Sequence, residues 1–141
     1  MARVKLAELK KYRFKHQLEV RYTDVNIGGH LGNSQMVELI HQIRYQVLKD
    51  LGLNEGNLGD GQTGLTVSDL VVNYLKESFP GDLLFFETDI QDFDQKSFRM
   101  YHRVSKREKL IALAEVGLVA FSFITRKSGQ VPESFKELVS S

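Results

Sequence analysis

Residues 20–33, "VRYTDVNIGGHLGN", decide how this chain is read. The stretch leaves a strand, passes through a turn with three glycines, and stops where a helical pattern begins. Upstream, "RFKHQLEVRY" (13–22) alternates Phe14, His16, Leu18, Val20 and Tyr22 with Arg13, Lys15, Gln17, Glu19 and Arg21. Period two predicts a strand with one buried face. Downstream, "SQMVELIHQIRYQVLKDLG" (34–52) puts Met36, Ile40, Ile43, Val47 and Leu51 on one stripe, flanked by Val37, Leu39 and Leu48. This predicts a long amphipathic helix, capped by Asn33 or Ser34 and closed by Gly52. A helix with so wide an apolar face needs a sheet wrapped around it.

The remaining chain supplies that sheet. "NEGNLGDGQTG" (54–64) reads as a mobile loop, because its glycines lack the Lys-Ser/Thr of a phosphate-binding loop. Strand patterns follow in "LTVSDLVVNYLKES" (65–78), "LLFFETDIQDF" (83–93) and "SFRMYHRVSKRE" (97–108). "LIALAEVGLVAFSFIT" (110–125) is apolar on both faces, as a central strand requires. A short helix is expected at about 132–139, after Pro132. The order predicts an α+β fold: four strands in meander plus one before the helix, making a five-stranded antiparallel sheet around one long helix. The 141 residues suit one domain spanning 1–141, with its core at about 13–126.

Composition removes several classes of function. Net charge of +1 gives no field to hold nucleic acid. With no cysteine there is no disulfide scaffold, thiolate nucleophile or Cys-based zinc site, and the chain fits a reducing compartment. The N-terminus lacks a secretory h-region, and the most apolar run is too short and polar to span a bilayer. The expectation is a cytoplasmic protein without membrane partners. Four scattered His residues show no zinc spacing, so no metal is expected. His16, on the apolar face of the first strand, reads as a core residue.

Taken together, the turn Asp24-Val-Asn26-Ile-Gly28-Gly29-His30-Leu-Gly32-Asn33, "VVNYLKESFPGD", "KSF" and "AEVGLVAFSFITRKSGQVPESF" resemble the hotdog-fold thioesterases. The similarity is to the 4-hydroxybenzoyl-CoA thioesterase-like branch and runs from about Phe14 to Leu138. It implies a hotdog fold, hydrolysis of an acyl-CoA or acyl-carrier thioester, and a homodimer or tetramer with sites at the dimer interface. It implies no metal or redox cofactor, with coenzyme A entering only as part of the substrate. By match to the family, the Asn33 amide holds the thioester oxygen. Gly28, Gly29 and Gly32 let the backbone approach the ligand, or simply shape the turn.

The chain also departs from that family. The second acid of the motif, the usual catalytic Asp, is Asn26 here, and Gly32 stands for a usual Asn. The common helix Glu is missing near His41 and Gln42. Asn26 cannot act as a base; its amide can orient a water or the carbonyl, or cap the turn as an Asx residue. His30 can be the base, since imidazole titrates near neutral pH, or a structural His bonded to backbone. Glu38 and His41 are neighbours on one side of the helix; Glu38 reads as an exposed helix residue or a supporting carboxylate, and His41 as a boundary residue or a site residue. Asp69 interrupts a strand expected to be largely buried, where an unpaired charge is costly; either a partner such as His30 relieves it, or Asp69 is a solvent-facing strand residue. Asp24 braces the turn. Ser97, Arg99 and Arg126 are the substrate-binding candidates. Arg99 and Arg126 belong with Arg103, Lys106, Arg107 and Lys127 to a set of cations suited to CoA phosphates. No Gly-x-Ser-x-Gly elbow is present. The alternatives are a non-catalytic acyl-CoA-binding module and, last, enoyl-thioester hydration.

Overall fold

The computed structural model describes residues 3–140. The first strand, β1 (Phe14–Glu19), leads through a short 3-10 turn (Tyr22–Asp24) into the helix α1 (Asn33–Asp50). Four strands follow: β2 (Gly64–Tyr74), β3 (Leu83–Gln91), β4 (Ser97–Lys106) and β5 (Lys109–Ser122). A two-residue β6 (Lys127–Ser128) and the helix α2 (Glu133–Ser140) end the described chain. The sheet is antiparallel throughout and ordered β1-β3-β4-β5-β2, with β6 paired to β5. This curled sheet around one long helix is the hotdog fold.

The sheet differs from the expected meander in two respects. It has six strands, since β6 folds back so that Ser128 pairs with Phe121. Moreover, β2 does not pair with β3. The free edge of β3 is taken by β1, with His16 opposite Phe86, so β2 lies beside β5, with Tyr74 opposite Ala112. Only β3, β4 and β5 form a meander.

Burial explains why these segments fold as they do. Along β4, Phe98, Met100, His102 and Val104 turn inward while the residues between them stay half-buried. On β3, Leu84, Phe86, Thr88 and Ile90 are buried, with Leu83 and Phe85 exposed and Asp89 buried beside them. Met36, Leu39, Ile40, Ile43, Val47 and Leu48 of α1 fill the concave side of the sheet. The core reaches beyond residues 13–126: Tyr12 is buried, and Phe135 of α2 stacks on Phe98 with ring centroids 5.0 Å apart.

Three local expectations are corrected. The N-cap of α1 is Gly32, with no side-chain cap, rather than Asn33 or Ser34. A Cβ on Gly32 would stand 1.9 Å from Gln35 Oε1, which accepts from Ser34 Oγ at 3.2 Å, so the Gln35 side chain lies over this glycine. The glycine-rich loop is anchored. Leu58 is fully buried, and Asn57 Oδ1 accepts from the N–H groups of Gly59 and Gly61. Asp69 is exposed, because β2 is an edge strand whose register shifts between Val67 and Asp69.

Candidate active site

The turn before α1 is built from its own backbone. Asn26 N–H donates to His30 O at 2.9 Å, Gly29 N–H donates to Asn26 O at 2.9 Å, and Val25 bridges to Leu31. Gly29 has φ +81, which is why a glycine sits there. Asp24 is buried behind the turn. It accepts from Arg21 N–H at 2.8 Å and Arg21 Nη2 at 2.9 Å, and the Arg21 bonds hold its carboxyl below the usual range. Its backbone O accepts from Gly32 N–H, so Asp24 ties the entry of the turn to its exit.

Within this frame, Asn26, His30 and Asn33 come together. Asn26 Oδ1 accepts from Gly28 N–H at 2.9 Å, an Asx turn that leaves the side-chain NH2 without a bond among the described residues. A Cβ on Gly28 would stand 3.2 Å from His30 Cδ2 and 3.3 Å from Asn26 Oδ1, so ring and carboxamide flank this glycine. His30 Nδ1 lies 3.0 Å from Leu31 O. A carbonyl only accepts, so Nδ1 carries the proton and the lone pair of the neutral ring is on Nε2. That nitrogen lies 4.0 Å from Glu77 Oε1.

The other wall comes from the end of β2. Tyr74 OH donates to Asn33 O at 2.7 Å, and Leu31 N–H donates to Ser78 O at 2.7 Å. Between them lies a cleft of about 290 Å³ lined by His30, Leu31, Asn33, Tyr74, Leu75, Lys76 and Glu77. The first backbone bond of α1 runs from Met36 N–H to Gly32 O, so the Asn33 amide has no intrahelical acceptor. It opens the helix at the positive end of its dipole. A helix start, an imidazole lone pair and a carboxylate thus share one apolar-sided cleft.

Other expected site residues lie elsewhere. Asp69 is five residues along β2 from Tyr74, about 17 Å at strand rise. Its carboxylate is held by Arg99 and Ser68, not His30. The Asp69–His30 pairing is therefore not made; the carboxylate beside His30 is Glu77. Gly117 leaves room for the Asp69–Arg99 pair, since a Cβ there would meet both side chains. The Arg99 bond keeps the Asp69 carboxyl below its ordinary range. Ser97, Arg99 and Arg126 sit at the opposite end of the sheet. Ser97 and Lys106 end the same strand about 30 Å apart, and within one chain only the Lys106 end adjoins the cleft. Arg126 stacks over Phe121. Glu38 is exposed on α1, and His41 pairs with Glu55 at 3.2 Å rather than with Glu38. Sequence reasoning missed Tyr74, Lys76 and Glu77 as site residues; their signal was the run of polar and aromatic side chains ending "VVNYLKES".

Among the described residues no group of three His, Asp or Glu side chains is placed to hold a metal, and no helix is long and apolar enough to cross a membrane.

Residues 20–139 match the family model of the thioesterase-like superfamily, and the chain belongs to that family. Solved structures agree on the fold. The 1,4-dihydroxy-2-naphthoyl-CoA thioesterase of Synechocystis superposes with a TM-score of 0.81 at 19% identity, covering 91% of this chain and 96% of that one. A gentisyl-coenzyme A thioesterase gives 0.79 at 19% identity, over 89% of this chain and 99% of the other. A protein from Aquifex aeolicus gives 0.82 at 16% identity, over 90% and 99%. No curated protein matches the chain in sequence.

Proposed function

We propose that this protein hydrolyses a thioester to a carboxylic acid and a free thiol. The observation that carries the reading is the pairing, in one cleft, of the Asn33 amide with a His30 whose Nε2 lone pair is free. The thioester carbonyl oxygen lies against the Asn33 N–H, where the helix start stabilises negative charge as it develops. His30 Nε2 takes a proton from water as the water oxygen attacks the carbonyl carbon. Glu77 offsets the charge of the imidazolium. The C–S bond then breaks, and the departing sulfur takes the proton back from His30. The NH2 of Asn26 donates to the attacking water or to the oxyanion, a role open to an amide, which cannot act as a base. Gly28 and Gly29 keep the turn low enough for the thioester to approach.

The working unit we propose is a homodimer joined through β2. Among the described residues its outer edge is unpaired, and Val67, Leu70 and Tyr74 are exposed along it. A second reading, a binding module without turnover, draws on one observation: position 26 carries an amide.

Thiol release from a panel of acyl-CoAs separates the two. The chain has no cysteine, so it contributes no thiol background. Hydrolysis by wild type that falls at least 100-fold in folded His30→Ala supports the enzyme. Acyl-CoA binding with no turnover by wild type across the panel supports the module.

A further inference from the structure

The segment ahead of β1 crosses the outer face of the sheet. On β4, Tyr101 and Arg103 alternate with the inward Met100, His102 and Val104, so they mark that outer face. At the β2 side, Asn73 Oδ1 accepts from Leu6 N–H at 2.7 Å, and Asn73 Nδ2 donates to Val4 O at 2.9 Å. Leu6, Leu9 and Tyr12 then lie beside Leu113 of β5 and Tyr101 of β4. Arg103 pairs with Glu8 at 3.2 Å and stacks on Tyr12. Arg13 reaches Asp89 of β3 at 2.7 Å, and Phe14 opens β1. The arm therefore crosses five strands, a path of about 19 Å at sheet spacing.

Charge sets this arm apart from the rest of the protein. Residues 3–15 hold six Lys or Arg and one acid, Glu8, in a chain with 19 basic and 18 acidic residues, so the remainder is net acidic. Glu8 is neutralised by Arg103, and the acids under the arm are neutralised too: Glu87 by Arg103, Asp89 by Arg13, Glu115 by Arg99. Arg3, Lys5, Lys10, Lys11 and Lys15 are exposed and, among the described residues, make no ion pair. They form a belt of one sign. Val4 is the only large apolar side chain that the described arm exposes, too little to insert into a lipid layer. Tyr12 is buried, which leaves no ring on the belt for a nucleobase to stack on.

The belt leads to the candidate active site. Lys5 and Leu6 flank a groove of about 590 Å³ shared with Asn73, Tyr74, Leu75 and Leu113. Tyr74 and Leu75 also line the cleft of His30 and Asn33. Tyr74 is the last residue of β2, so the groove rounds the end of the strand into that cleft. We propose that the belt docks an acidic carrier protein, whose thioester-bearing pantetheine arm passes along Leu6 and Leu75 to His30 and Asn33. The inference rests on the hydrolysis reading and names the thiol side of its substrate. Cations spread over about 19 Å meet several carboxylates of a protein surface at once and steer its approach.

Calorimetric titration with an acidic acyl-carrier protein in its pantetheine-loaded form tests the docking. Wild type is expected to bind it, more weakly as salt rises. The triple variant Lys5→Gln, Lys10→Gln, Lys11→Gln loses affinity about 10-fold or more. Lys49→Gln, which removes an exposed cation from α1, leaves affinity level. In steady-state assays wild type turns over an acyl group on the carrier with kcat/KM about 10-fold or more above the same group on pantetheine, and the triple variant loses that margin. Leu6→Trp fills the groove and lowers carrier turnover while carrier affinity holds. No carrier binding by wild type overturns the proposal, as does equal affinity in the triple variant. Binding to phosphatidylglycerol vesicles in place of the carrier also overturns it and assigns the belt to a membrane. Full carrier turnover in Leu6→Trp removes the path through the groove. The two readings fail separately. Carrier binding lost in the triple variant with no hydrolysis of any thioester by wild type keeps the docking surface and removes the thioesterase; hydrolysis by a wild type that does not bind the carrier does the reverse.

Discussion

Asn26 divides its carboxamide between structure and chemistry. Oδ1 closes the Asx turn on Gly28 N–H, while the NH2 makes no bond among the described residues and is left to donate. Asn26→Asp separates the two roles, because a carboxylate oxygen still accepts from Gly28 but no longer donates. Stability should therefore stay within about 0.5 kcal/mol of wild type in denaturant unfolding, the usual span of a surface change. Thiol release should fall about 10-fold or more; a rise would instead make position 26 the place of the base and displace His30. Two glycines of the turn provide a second contrast. Gly29→Ala forces a Cβ onto a residue at φ +81 and should cost about 1–2 kcal/mol. At Gly32 the obstacle is only the flexible end of Gln35, so Gly32→Ala should cost less in the same unfolding assay. Asn26, His30 and Asn33 were legible in the sequence because they are close neighbours along it. Glu77 was not: it reaches His30 through the return of β2, a contact no local pattern encodes. Asp69 could be read as buried and paired or as solvent-facing, and the sequence did not choose, because the edge position and the register shift of β2 are not registered by periodicity.

At the scale of elements, α1 and the loop after it are held by one buried cation. Arg44 lies on the inner face of the helix, almost wholly buried, and its Nε donates to Glu55 Oε1 at 2.8 Å. Helical periodicity marks the apolar stripe but gives no reason to bury Arg44; the reason is Glu55, eleven positions on, in a loop that reads as mobile punctuation. Hydrogen bonds explain the loop's order, since Leu65 N–H donates to Glu55 O. Glu55→Gln leaves a buried guanidinium without its counter-charge. Breaking a buried pair costs about 3–5 kcal/mol, but Glu55 is a third exposed, so about 1–3 kcal/mol is expected here. Amide exchange should quicken across residues 54–64 in that variant, and Arg44→Met in the same chain should recover much of the loss. Unchanged exchange in the loop would show that Leu58 anchors it without the ion pair.

The whole molecule closes around a histidine that takes no part in the proposed chemistry. His102 points from β4 into the core, 1% exposed, with Nδ1 2.8 Å from Thr88 Oγ1 and, among the described residues, no partner on Nε2. The alternation of β4 placed it on the inner face, but sequence alone gave no account of how a polar ring is accommodated there; Thr88, opposite it on β3, supplies the answer. Burial, aided by the positive charge of Arg44, depresses the imidazole to about 3. The sign of the pH effect follows. Unfolded, the ring titrates near 6.5, so between those values the unfolded chain binds a proton that the folded chain refuses. The stabilisation from keeping His102 neutral is present above the unfolded value and is lost as pH falls towards the folded one. Unfolding free energy should decline below neutrality with a slope approaching about 1.4 kcal/mol per pH unit from this group alone. Between pH 7 and 5 the carboxyls of Asp24, Asp69 and Asp82, all shifted downward from the ordinary range, stay ionised, and the other three histidines are common to wild type and variant, so the comparison of the two isolates His102. Replacing the pair together, His102→Phe with Thr88→Val, keeps the volume apolar and leaves no orphaned hydroxyl. In urea unfolding at pH 7 and pH 5, this variant should lose the part of the decline due to His102 while the wild type keeps it. A decline of the same steepness in both would assign the acid sensitivity to other groups and show that His102 titrates alike in the folded and unfolded chains.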